Sequence, residues 1–165
     1  MCCPSARSLR PSCLRETDMT TVFAVTKEDT QNAGKSLARR LRAGDVILLS
    51  GRMGAGKSEF ARGVARGLGI TSAVPSPSFT IMNMYDEGTL PLYHFDWYRI
   101  GDESELTDMG LDEYIGGDGV TLIEWHERAE DLIPETALEV LLSPQEDGSR
   151  IITLIPHGRW EAEHR

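Results

Sequence analysis

The sequence predicts an α/β fold, a mostly parallel sheet flanked by helices with antiparallel hairpin additions, and three patterns carry that expectation. Val46-Ile47-Leu48-Leu49 is a short continuous apolar run, the pattern of a strand covered on both faces in a parallel sheet. Ala33, Leu37 and Leu41, and then Phe60, Val64 and Leu68, recur every four residues, which keeps one helix face apolar. Two pairs of β-rich stretches are separated by Asp86-Glu87-Gly88 and by Gln145-Glu146-Asp147-Gly148-Ser149, turn residues that join antiparallel strands. With 165 residues, 40% of them apolar and 26% charged, the chain suits one ordinary globular domain; collagenous, coiled-coil and wholly disordered classes are excluded.

Residues 1–19 stand apart in composition. Arg7, Arg10 and Arg15 against Glu16 and Asp18 leave them at +1, so the formal charge of −9 is a −10 body behind a weakly cationic leader. The segment has no apolar run for a signal peptide, and its Pro, Ser and Arg content does not predict a packed element. It is therefore expected to be a disordered leader, or an upstream start chosen in place of Met19. Structure is expected to begin at Thr21-Val22-Phe23-Ala24-Val25. Thr26 and Asp29 have capping-box spacing, which starts a helix over 27–42 that Gly44 closes. The strand at Val46–Leu49 leads through a Gly-rich turn into a second helix, stopped by Gly69. Phe79 to Tyr85 and Leu90 to Trp97 read as a hairpin, 103–109 as a short helix and Val120–Ile123 as another strand. Ala137–Leu142 and Ile151–Ile155 form the second hairpin. A single domain is thus expected over 20–156, followed by a short polar tail at 157–165. No internal repeat and no apolar stretch of about 18 residues occurs, so solenoid and membrane-spanning readings fall away.

Charge and cysteine usage narrow the function classes. Seventeen Lys plus Arg against 26 Asp plus Glu argue against direct capture of a nucleic-acid backbone as the main role, because that needs a basic face. Trp97, Tyr98, Trp125 and Trp160 form no ladder with basic residues, so core or interface packing is expected of them rather than base stacking. All three cysteines, Cys2, Cys3 and Cys13, precede the body of the chain, which therefore has no disulfide framework and no cysteine metal site. A reducing, cytoplasmic location fits.

The strongest chemical signal is Gly51-Arg52-Met53-Gly54-Ala55-Gly56-Lys57-Ser58. It satisfies G-x-x-x-x-G-K-[ST] and lies between an expected strand and an expected helix, the context that gives the pattern its meaning. Glycines let backbone N–H groups turn inward around phosphate oxygens, and the helix starting near Lys57 adds its positive end. Lys57 reaches the β and γ phosphates, and the Ser58 hydroxyl can ligate Mg²⁺. The fold expectation sharpens to a P-loop NTPase-like one, with Gly51, Gly54, Ala55, Gly56, Lys57 and Ser58 around ATP. Hydrolysis needs more: a carboxylate for the metal and a group to position the water. Asp96 closes the stretch Leu92-Tyr93-His94-Phe95, and Glu124 closes Val120-Thr121-Leu122-Ile123. C-terminal strand ends face the ligand crevice of an open parallel sheet, so both acids are candidates.

Four blocks, with Glu105-Leu106 and Met109-Gly110-Leu111 between them, resemble the bacterial tRNA threonylcarbamoyladenosine biosynthesis ATPase family, TsaE. They are the Gly51–Ser58 loop, Ser76-Pro77-Ser78-Phe79-Thr80, His94-Phe95-Asp96-Trp97-Tyr98-Arg99 and Ile123-Glu124-Trp125. The resemblance covers about residues 20–142. It implies that Ser58 and Glu124 ligate magnesium, that Asp96 is essential to hydrolysis, and that Trp125 stands beside the site. It makes Ser76–Thr80 a switch-like loop in which Thr80 or Ser78 senses the γ phosphate. It implies ATP and Mg²⁺ as cofactors, TsaD-like and TsaB-like partners, and an indirect relation to tRNA whose adenosine 37 is modified. Weak ATPase activity would reset or regulate the transferase assembly, with no membrane involved.

The chain departs from the family pattern where Arg52-Met53 replace Asp-Leu, where Ser58 and Ser78 replace Thr, and where His126 replaces Pro. Serine keeps the hydroxyl ligand, whereas Arg52 puts a cation where the family has an acid. His126 is expected to start a helix rather than act in catalysis. Arg99 is open between a structural ion pair and a phosphate contact, and Thr26 to Thr30 are a guess for the adenine side. Two rival classes remain: a small-molecule P-loop kinase, for which Arg128 and Arg150 are poor lid material, and a nucleotide-binding scaffold that does not hydrolyse, against which Asp96 and Glu124 argue.

Overall fold

The computed structural model describes residues 20–162. The expectations for residues 1–19, the three cysteines included, lie outside the described residues. Seven strands form one sheet in the order β1-β7-β6-β2-β5-β4-β3. They are β1 (Thr20–Ala24), β2 (Val46–Ser50), β3 (Met82–Tyr85), β4 (Leu92–Asp96), β5 (Val120–Glu124), β6 (Leu138–Pro144) and β7 (Arg150–Ile155). The centre, β6-β2-β5-β4, is parallel; β3 pairs antiparallel with β4 on one margin, and on the other β7 pairs antiparallel with β6 and β1 antiparallel with β7, which returns β1 to the direction of the centre. The expected class, a mostly parallel sheet with antiparallel hairpin additions, is the class observed.

Alternation along the buried strands supplies two cores. Ile47 and Leu49 of β2, with Val120 and Leu122 of β5, pack beneath α1 (Lys27–Ala38) and α2 (Lys57–Gly67). Val46, Leu48, Phe95 and Ile123 point to the opposite face, which is covered by Trp97, Ile100 and Leu106 from the segment around α3 (Ser104–Asp108). Burial on both faces is why β2, β4 and β5 have no exposed residue and why β2 reads as one apolar run. Tyr93 anchors β4 from the second face: its hydroxyl donates to Asp118 at 2.6 Å, and that bond together with burial pushes the phenol up to about 12.

α1 begins as its sequence specifies. The Thr26 hydroxyl accepts from Asp29 N at 3.1 Å and the Asp29 carboxylate accepts from Thr26 N at 2.8 Å, hydrogen bonds that hold the Asp29 carboxyl below its ordinary range. The helix stops at Ala38 rather than 42. Arg40 N and Leu41 N donate to Leu37 and Ala38 carbonyls in a tight turn, so Leu41 reaches the core from non-helical backbone. α1 and α2 meet through glycines: a Cβ added at Gly63 would lie 2.0 Å from the Gln31 carbonyl oxygen, and one at Gly34 would lie 2.3 Å from that of Phe60. Backbone cannot yield as a side-chain tip does. Gly63→Ala is therefore expected to lower stability by about 3 kcal/mol, read as a fall in the urea midpoint; an unchanged midpoint would mean the helices separate freely.

The first hairpin is shorter than expected. Thr80 N and Ile81 N both donate to the Pro77 carbonyl, and Ile81 adopts φ 66°, so Phe79–Ile81 form a turn and β3 starts only at Met82. Residues 157–162, which the sequence leaves unassigned, fold back as the single turn α4 (Arg159–Ala162). It buries Trp160 in the core, and the Arg159 guanidinium lies 3.8 Å from that ring's centroid while pairing with Asp45. Among the described residues no helix is long and apolar enough to cross a membrane.

Candidate functional site

The parallel strands deliver their C-terminal ends to one edge of the sheet, and the candidate residues collect there. β2 runs out into Gly51, and the loop turns through left-handed backbone at Gly51 (φ 146°), Gly54 (φ 80°) and Gly56 (φ 106°) before α2 starts at Lys57. Gly51 has a second constraint, since a Cβ there would approach the Leu142 carbonyl oxygen to 2.7 Å. The loop needs glycine at these positions for its shape. Gly56 is the N-cap of α2 and offers no side chain, so the first N–H groups of the helix face the cleft without a side-chain cap.

A cleft of about 330 Å³ lies over this loop, lined by Met53 to Glu59, Ser76, Ser78, Asp96, Glu124, Trp125, Lys27 and Arg150. The structure thus brings Gly54, Ala55, Gly56, Lys57, Ser58, Asp96 and Glu124 together, as the sequence reading expected of one site. Asp96 and Glu124 are register partners on adjacent parallel strands and both point to the helix-covered face. Lys57 is largely buried; its ammonium donates to the Gly51 carbonyl at 2.5 Å and stands 4.8 Å from the Trp125 ring centroid. Trp125 holds φ 59°, which turns the chain at the end of β5 and lays the indole beside the lysine.

Both acids are buried and held. Asp96 accepts from the Ser78 hydroxyl at 2.9 Å and from Tyr98 N at 2.9 Å, and Ser78 meets Ser76 at 2.9 Å. The Ser76–Ser78 segment is therefore tied to the acid at the end of β4. Glu124 Oε1 lies 3.0 Å from His94 Nε2, and both side chains are almost fully buried. The sequence reading did not single out His94; its place two residues before Asp96, on the same face of β4, is the signal that would have found it.

Several expected residues fall elsewhere. Thr80 does not line the cleft: the turn closed on Pro77 swings it outward, and its hydroxyl donates to Asn83 Oδ1 at 2.8 Å. Ser76 and Ser78 take the place in the cleft assigned to it. Gly51 shapes the loop from beneath, its side facing Leu142 and Ala55 rather than the cleft. Arg52 is exposed outside the cleft lining, its carbonyl accepting Ala55 N. Arg99 lies over the Phe79 ring at 4.3 Å and does not line the cleft; among the described residues it pairs with no carboxylate. His126 opens a short 3-10 turn, as a helix-start residue should, with Nε2 3.1 Å from the Ser50 hydroxyl on the far face of β2. Arg150 and Lys27 were missed as cleft residues. Nothing local marks them, because their positions depend on which strand and helix flank the loop.

Chemically, the cleft sets a cationic loop and helix start against two buried carboxylates and three serine hydroxyls, those of Ser58, Ser76 and Ser78. Hard oxygen donors from Ser58, Glu124 and Asp96 suit a small divalent cation. The loop amides and Lys57 suit phosphate.

Residues 24–152 match the family model described as threonylcarbamoyl adenosine biosynthesis protein TsaE. The chain is 46% identical over 138 residues to the tRNA threonylcarbamoyladenosine biosynthesis protein TsaE of Bacillus subtilis (strain 168), covering 83% of this chain and 86% of that one. To the protein of the same name from Nostoc sp. (strain PCC 7120) it is 42% identical over 142 residues, 84% and 86% of the two chains. The crystal structure of Bacillus subtilis YdiB superposes with a TM-score of 0.77 at 38% identity, covering 88% of this chain and 90% of that one.

Proposed function

The chain belongs to the TsaE family of threonylcarbamoyl adenosine biosynthesis proteins, and from that premise we propose that it is a Mg²⁺-dependent ATPase acting as a switch on a transferase assembly. The reaction it serves is threonylcarbamoylation of tRNA adenosine 37, with TsaD-like and TsaB-like proteins as its partners and tRNA met only through them, in the cytoplasm. One observation carries the reading: Met53 to Ser58 of the loop after β2, Asp96 at the end of β4 and Glu124 at the end of β5 line a single cleft although they come from three separate strands.

Each side chain has a task in such a reaction. The loop amides and the start of α2 bind the triphosphate, and Lys57 neutralises its outer phosphates. Ser58 and Glu124 would hold Mg²⁺, which when bound supplies charge neutralisation on the phosphate oxygens. His94 fixes the Glu124 carboxylate from behind. Asp96 orients the attacking water: the water oxygen bonds to the γ phosphorus as the bridging oxygen leaves with ADP, and the water proton passes to Asp96 or the departing phosphate. Because Ser78 is bonded to Asp96, a change at the γ phosphate is felt by the Ser76–Thr80 loop, which would present two surfaces to a partner.

Phosphate release by the purified chain, with and without the TsaD-like and TsaB-like pair, tests the switch. Slow turnover alone and stimulation by the pair are expected. Equal turnover without partners would refute the switch, and radiolabelled γ phosphate recovered on a small metabolite would identify a kinase.

A further inference from the structure

We infer that His126 is a positioning residue for Lys57: through Ser50 it ties the turn after β5 to the start of the glycine loop, from the face of the sheet away from the cleft, a role that rests on the nucleotide reading above. The backbone leaves a gap for it to close. Pairing between β2 and β5 ends at Leu49 with Glu124, and Ser50 keeps a register partner only on β6, in Leu141. One residue past Glu124 the chain turns at Trp125 through φ 59°, an uncommon backbone for a bulky side chain, which persists only where its neighbours hold it. Trp125 thereby lines the cleft, while His126 lines a separate cavity with Leu48 on the opposite face.

On that face three side chains continue the join where the strand pairing stops. The Ser50 hydroxyl donates to Glu139 Oε1 at 2.7 Å, and Ser50 Oγ lies 3.1 Å from His126 Nε2. A hydroxyl has one hydrogen and an ionised carboxylate can only accept, so with the Ser50 hydrogen on Glu139 it is His126 Nε2–H that donates to Ser50. Glu139 thus fixes the hydroxyl, and the hydroxyl fixes the histidine. The consequence appears on the cleft side. Lys57 has two contacts there, the Gly51 carbonyl at 2.5 Å and the Trp125 ring centroid at 4.8 Å. Gly51 follows Ser50 and Trp125 precedes His126, so the Ser50–His126 bond joins the chain neighbours of both contacts and sets the width of the lysine's seat. Ser50 is buried, which keeps water from competing for the bond. Proline, which the family pattern has at position 126, offers no side-chain donor, so the tie is a property of this chain.

Calorimetry with ATP, and amide hydrogen exchange without nucleotide, test the assignment on the full chain in the wild type, His126→Phe, His126→Gln, Ser50→Ala and the double variant His126→Phe/Ser50→Ala. His126→Phe keeps a ring and loses the donor; it is expected to weaken ATP by about fivefold and to speed exchange across residues 51–58 and 124–128. His126→Gln, which donates from a similar reach, should recover most of both effects. The double variant should bind no more weakly than the worse of the two single ones, because both changes break the same bond. If His126→Phe does not fold, Ser50→Ala decides, with the same weakening and the same faster exchange expected. Lower thermal stability with unchanged ATP affinity would make the bond a matter of folding alone and overturn the assignment, as would losses that add in the double variant. A wild type that binds no ATP would overturn the nucleotide reading itself, which the wild-type titration alone reveals.

Discussion

Replacing Lys57 by alanine is expected to abolish ATP binding, with affinity falling by about a hundredfold or more in calorimetry. The size of the effect follows from burial. The ammonium sits in a largely enclosed position between the Gly51 carbonyl and the Trp125 ring, where a charge acts through less water than it would at the surface. Alanine leaves the loop amides intact because the loop's shape comes from glycines at positive φ, so circular dichroism and the unfolding midpoint should not move. Losing the charge nonetheless leaves the cleft with no side-chain cation from the loop, because Arg52 lies outside its lining. Unchanged ATP affinity would remove the triphosphate from this cleft altogether.

Asp96→Asn is expected to cut ATP hydrolysis by about a hundredfold to ten thousandfold while ATP affinity stays within about threefold. Asparagine keeps the shape, can still accept from Tyr98 N, and turns its amide toward Ser78, so the packing of β4 survives. It cannot hold a proton from water, which separates catalysis from binding. Phosphate release measured beside calorimetry on one preparation distinguishes the two. Turnover equal to wild type would favour a nucleotide-binding scaffold over an ATPase, and parallel loss of binding would make Asp96 a ligand-holding residue instead.

The local features were legible in the chain itself. The capping box at Thr26 and Asp29, the all-apolar run of β2, the glycine spacing of the loop and the acids closing β4 and β5 each follow from neighbours within a few residues. Where local rules met competition, the boundaries moved. α1 ends early so that Leu41 can turn into the core. β3 starts late because the Pro77 carbonyl captures two successive N–H groups, and that turn carries Thr80 out of the cleft the family pattern suggested for it.

By itself, then, the sequence determined a parallel-centred α/β fold, a phosphate-type loop and two strand-end acids, because these depend on periodicity and on what each backbone position permits. Only the tertiary structure decided which strands are neighbours, and with them the company each residue keeps. Alternating apolar residues make a strand able to pair, yet they do not choose its partner; that choice comes from contacts far apart in the chain, such as Thr20 with Leu154 and Leu49 with Val140. This is why Arg150 reads in the sequence as the start of a hairpin strand and in the fold as a cation beside Gly56. It is also why His94 gains a meaning only once β4 lies against β5 and sets its ring on Glu124.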